Sequence, residues 1–93
     1  MVRMTKALKV VQDFAYRRSC LTRAYTDRIN SLQLPRGFTP DHLIRIEKEN
    51  RAILLIALTS EKFHIIKLSS LEIVDGFYIE LREELLKAGI KEV

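Results

Sequence analysis

The sequence predicts an α+β fold: a three-stranded antiparallel β-meander between a long N-terminal helix and a C-terminal helix, in the order α-β-β-β-α. Three observations carry this. Apolar residues recur at helical spacing over 5–32 and again over 70–88, alternating and apolar stretches fill 42–68, and turn-forming residues stand at the joins. Ninety-three residues, 47% hydrophobic and 30% charged, suit a single globular domain over 1–93. The longest apolar run covers 52–58, well short of the roughly 20 residues that span a bilayer.

The helix over 5–32 places Ala7, Val10, Val11, Phe14, Ala15, Leu21, Tyr25, Ile29 and Leu32 on one stripe. Lys6, Lys9, Asp13, Tyr16, Arg17, Arg23 and Asp27 fall opposite, with Asp13 and Arg17 at the favourable (i, i+4) spacing. Arg18 projects from the centre of the apolar stripe. Either its stem snorkels, the helix breaks near Arg17-Arg18-Ser19 and a second one starts, or the guanidinium pairs with a carboxylate from another chain. The stretch 33–41, containing Leu34-Pro35-Arg36-Gly37-Phe38-Thr39-Pro40, reads as a connector.

The meander over 42–68 follows. Its strands are 42–48, 51–59 and 63–68, with tips at Glu49-Asn50 and Ser60-Glu61-Lys62. The middle strand is apolar at every position from Ala52 to Leu58, where a sheet with one wet face would alternate. Both of its faces are therefore expected to be covered, and with only two helices available that favours association. Leu54 and Ile56, together with Arg18, become the candidate partner interface. A rival reading takes Thr39 as N-cap and Pro40 as N1 of a helix over 42–50, making 52–68 the wing of a winged helix. The alternation of Ile44, Ile46 and Lys48 with Arg45 and Glu47 favours the strand.

The last helix, 70–88, opens on Ser69-Ser70-Leu71-Glu72, a capping-box pattern with Ser69 as N-cap. Its apolar stripe is Leu71, Val74, Phe77, Tyr78, Leu81, Leu85 and Ala88. Gly89 with Ile90 behind it forms a hydrophobic Schellman stop. Gly76 within the helix either carries a cost of about 1 kcal/mol relative to Ala or admits a neighbouring backbone.

Charge divides unevenly. Residues 1–36 hold eight Lys/Arg and two acids, whereas 37–93 hold eight and ten, so the net +4 comes from the N-terminal part. A basic segment on a mildly acidic body points to an anionic partner. Lys6, Lys9, Arg17 and Arg23, with Tyr16 among them for stacking on an unpaired base, are the candidate nucleic-acid-binding residues. An ordinary solvated helix face would look the same.

Nothing in the sequence assembles a catalytic constellation. His42 and His64 stand apart with no ligand-spaced Cys or His, which gives no zinc cluster. Cys20 is the only cysteine, so no intrachain disulfide is possible and a reducing, cytoplasmic location is expected. Only Gly37, Gly76 and Gly89 are available, too scattered for a phosphate loop. Glu80, Glu83 and Glu84 read as a solvated helix face. No enzyme activity, cofactor, metal, membrane contact or small-molecule substrate is expected.

Leu54-Leu55 through Ala57, the Glu61-Lys62 tip, and Ser69-Ser70-x-Glu72 leading to Leu85-Leu86-Lys87-Ala88 cover about a third of the chain. Over them it resembles the small Alu-domain proteins of the signal recognition particle. That resemblance implies the α-β-β-β-α order, heterodimer formation and RNA binding on the sheet. The longer first helix and the lack of a basic sheet or tail depart from the pattern at the RNA-binding surface. The hairpin and last helix are also similar to the small dimerisation subunit of the KEOPS tRNA-modification complex, which begins with a strand instead. Double-stranded-RNA-binding domains share the element order. However, Ser69-Ser70-Leu71-Glu72 stands where their lysine cluster opens the second helix.

These readings lead to a non-catalytic accessory subunit of an RNA-associated assembly. It would act by homo- or hetero-oligomerisation and by phosphate contacts from its basic helix. The alternatives are a pure protein–protein interaction module and a winged-helix DNA-binding regulator.

Overall fold

In the computed structural model, which describes residues 5–24 and 34–93, the predicted α+β class is present with a larger sheet. The described elements are α1 (Lys6–Arg17), β1 (Leu21–Ala24), β2 (His42–Lys48), β3 (Arg51–Leu58), β4 (Lys62–Lys67), α2 (Glu72–Lys87) and β5 (Lys91–Glu92). The five strands lie in sequence order, antiparallel from β1 to β4, with β5 parallel to β4. The three-stranded meander is therefore the centre of a mixed sheet, extended by one strand at each edge.

The helix predicted over 5–32 stops at Arg17, and its expected continuation over 25–32 lies outside the described residues. The stop is a Schellman motif built on a serine. Cys20 N–H donates to the Ala15 carbonyl at 2.8 Å and Ser19 N–H to that of Tyr16 at 3.2 Å. Ser19 takes φ 55, a left-handed conformation that costs a non-glycine residue roughly 1–2 kcal/mol. With glycine absent from that position, the sequence hides the stop. The break anticipated at Arg17-Arg18-Ser19 is real, but a strand follows it, not a second helix.

The meander forms as expected. Glu49 and Asn50, at φ 52 and 66, make the two-residue turn whose twist matches that of the flanking strands. The β2–β3 register shifts between Ile46 and Glu47, so Ile53 is a bulge residue beside Leu54. Residues 42–48 are strand, leaving no recognition helix there for a winged helix.

Strand β3 is hidden on both faces, with every residue from Ile53 to Leu58 buried. Ile53, Leu54, Ile56 and Leu58 form one core with Val11, Phe14, Val74, Leu81 and Leu85 of the two helices. Leu55 and Ala57 point to the opposite face, beside Arg45, Ile66, Leu43 and His64, and are also fully buried. All of this burial is achieved within a single chain. Leu54 and Ile56 are therefore core residues without exposed surface, and β3 by itself does not call for a partner.

Helix α2 starts two residues later than predicted. Leu71 is its N-cap and makes no side-chain cap bond, while Ser69 Oγ accepts from Leu71 N–H at 3.3 Å. The hydroxyl serves a local turn instead of the capping box, and Glu72 and Asp75 in the first turn meet the helix dipole. The C-terminal stop is the predicted one. Gly89 stands at φ 87, and Ile90 N–H donates to the Leu85 carbonyl at 3.0 Å. Beyond it, Lys91 N–H and Val93 N–H donate to Glu61 and Phe63 carbonyls at 2.8 and 2.9 Å, which adds β5.

A Cβ placed on Gly76 would meet no atom within 4 Å. Gly76→Ala is expected to raise stability by up to about 1 kcal/mol by restoring helix propensity. A thermal melt with a higher midpoint would agree, whereas a lower one would mean that another group occupies that space.

Candidate functional site

Both helices pack on one face of the sheet, because their buried residues share one core with the same strand face. Within that layer they run antiparallel: Val10 lies near Ala88 across a groove of about 520 Å³, while Arg18 reaches back to Glu80. Phe14 and Phe77 meet edge-to-face at 6.0 Å beneath them.

The five residues expected to bind nucleic acid do not form one patch. Lys6, Lys9 and Tyr16 are exposed on the solvent side of α1, opposite the buried Ala7, Val11, Phe14 and Ala15. Tyr16 is 86% exposed. Arg17 turns instead to Glu84 of α2 in an ion pair. Arg23 is on β1, on the sheet face away from the helices, where its Nε lies 2.9 Å from Glu47 Oε1. Glu47 also holds Arg45, Nη2 to Oε2 at 2.7 Å. One carboxylate thus serves two guanidiniums, and Arg45 Nε is buried without a hydrogen-bond acceptor among the described residues.

Arg18 finds its carboxylate inside the chain. Its Nε donates to Glu80 Oε2 at 2.6 Å, and its guanidinium carbon sits 4.1 Å from the Phe14 ring centroid. The charge that interrupted the apolar stripe is thereby reconciled with the core it borders. Glu80 and Glu84 are partners of Arg18 and Arg17 where the sequence showed only a solvated face. The signal that could have found them is their (i, i+4) spacing, matched to two adjacent arginines.

The chemically reactive groups stay dispersed. Cys20 is buried, its Sγ donates weakly to the Arg18 carbonyl at 3.6 Å, and burial pushes its thiol pKa up against the opposing charges of Lys48 and Arg18. Lys48 Nζ donates to the same carbonyl at 2.7 Å, which ties β2 to the end of α1. Among the described residues no cluster of three His, Cys, Asp or Glu could hold a metal ion. No described helix is long and apolar enough to cross a membrane.

The surface the sequence reading missed is the solvent side of α2. Glu72, Gly76, Ile79, Glu83 and Leu86 recur at alternating spacings of four and three and are all exposed. Ile79 is 55% and Leu86 41% exposed. Both had been left off the predicted apolar stripe, and that omission was the available signal. No family model matches this chain, and it matches no curated protein and no solved structure.

Proposed function

We propose that this chain is a non-catalytic subunit that works by docking onto another protein through the solvent side of α2. The observation that carries this is the pair Ile79 and Leu86, one heptad apart on an exposed helix face with the unfilled space of Gly76 beside them. Neither side chain belongs to the buried core, and contact would remove their exposed surface from water. Ile79→Glu/Leu86→Glu in the full chain is expected to abolish a stoichiometric protein contact while leaving the thermal midpoint within about 2–4 °C, since exposed substitutions usually change stability by under about 0.5 kcal/mol. A variant that keeps the contact, measured by co-purification and light scattering, would remove α2 from the interface.

A second reading rests on Tyr16. Its ring stands free on α1 with Lys9 two turns before it and Lys6 alongside, an arrangement suited to stacking on an unpaired base while two ammonium groups meet phosphates. The β2–β4 meander leading into α2 supports this reading by its resemblance to the corresponding part of the Alu-domain proteins. With Arg17 and Arg23 paired internally, Lys6 and Lys9 would carry it. Lys6→Glu/Lys9→Glu should then lower the log–log salt slope for single-stranded RNA by about 1.4, at about 0.7 per phosphate contact. Fluorescence anisotropy across a salt series reads it, and an unchanged slope would dismiss α1 as an RNA surface.

A further inference from the structure

Strand β1 is, we infer, a displaceable strap rooted at Cys20. It lifts away from β2 while the rest of the fold stays in place, and its departure bares the hydrogen-bonding edge of β2. Among the described residues β1 is the outer strand at one side of the sheet. All four of its residues, Leu21 to Ala24, are exposed, and none belongs to the buried core. Holding four residues extended costs backbone freedom, and here no buried side chain offsets that cost. Its neighbour β2 is secured differently. Ile44 and Ile46 share one core with Ala7, Val11 and Phe14 of α1, and β2 pairs with β3 from His42 to Lys48. Losing β1 leaves both of those attachments intact.

Helix α1 does not clamp the strand. A groove of about 280 Å³ lies between Leu8 and Gln12 of α1 and Thr22 and Ala24 of β1. Charge gives β1 little further hold. Arg23 stands directly opposite Arg45, a like-charge pair that weakens a ladder. Its one ion pair, to Glu47, is made from a side chain that is 63% exposed, where such pairs contribute little. Opening separates the two guanidiniums and leaves Glu47 to Arg45 alone. The root of the strap, by contrast, is fixed at three points. Cys20 is buried in the core, its N–H donates to the Ala15 carbonyl at 2.8 Å, and Lys48 Nζ donates to the Arg18 carbonyl at 2.7 Å. The pivot therefore falls between Cys20 and Leu21, where buried chain gives way to exposed chain.

Native-state hydrogen exchange, read by NMR on the full chain, tests the strap. Along an inner antiparallel strand, alternate residues bond to the neighbour on either side. The amides of β2 thus divide into a set bonded to β1 and a set bonded to β3. The first set needs only the strap to open, whereas the second needs the meander to come apart. After correction for intrinsic rates, the first set is expected to exchange at least about 100-fold faster than the second. Equal protection of the two sets would overturn the proposal, because β1 would then open only with the whole fold. A second measurement uses Thr22→Pro/Arg23→Pro, in which at least one of two successive prolines removes an amide facing β2. This chain should keep a single cooperative melt, with amide resonances of β3, β4 and α2 in place and shifts confined to β1, its root and β2. Loss of the cooperative melt would make β1 an integral part of the sheet and would equally end the proposal.

Discussion

Leu54→Ala is expected to lower stability by about 3 kcal/mol, within the range of about 2–5 kcal/mol for truncating a buried leucine. For a chain of this size that corresponds to a fall in Tm of at least about 12 °C. The reason is position. Leu54 is fully buried on the helix-facing side of the central strand, beside the bulge at Ile53, where Ile46 and Lys67 are its cross-strand neighbours. Strands on both sides and two helices above leave little room for collapse into the cavity. The sequence placed Leu54 and Ile56 at a partner interface, and the same substitution separates the two roles. A core residue lowers the melting midpoint whatever the protein concentration, whereas an interface residue would weaken association and leave the isolated chain intact. An unchanged midpoint in differential scanning calorimetry would return Leu54 to an interface.

Glu47→Gln is expected to be the second largest loss, about 2 kcal/mol, and to exceed Arg23→Gln by several-fold. Glu47 is only 14% exposed at its side chain, whereas Arg23 is 63% exposed. The exposed arm is a surface ion pair of at most about 1 kcal/mol. The inner arm is different: without its carboxylate, Arg45 keeps a half-buried guanidinium with one nitrogen already lacking an acceptor, and leaving such a group unpaired costs about 1–3 kcal/mol. Arg23 and Arg45 also stand directly opposite each other across β1 and β2, so their repulsion is released. Urea denaturation of both single variants measures the asymmetry. Equal effects from the two would mean that the exposed arm carries the energy.

The elements that were legible in the sequence were those whose signal is local. Glu49-Asn50 between alternating runs determines a hairpin within a few residues, and Gly89-Ile90 determines a helix end the same way. What escaped were features with ambiguous or distant causes. Leu21-Thr22-Arg23-Ala24 is too short to distinguish a period of 2 from one of 3.6, and Ser19 adopts a conformation usually reserved for glycine. β5 has only two residues, held by carbonyls of Glu61 and Phe63 far back in the chain. Ser69 satisfied a motif on paper while its hydroxyl took a nearer donor. The basic patch dissolved for the same reason, since Arg17 and Glu84 are separated by 67 residues and no spacing rule connects them.

The two outermost strands also bear on how the sheet behaves toward strangers. β4 would otherwise present a row of unsatisfied amides and carbonyls beside the buried Phe63, an invitation to indiscriminate cross-chain zippering. The short return of the polypeptide after Gly89 caps that margin with Lys91 and Glu92, a charged pair, and Arg82 reaches across to clasp Glu92 at 2.9 Å. A few residues thus act as a selvedge over Lys62 and Phe63, setting charge where the start of β4 would otherwise be open to pairing with another chain.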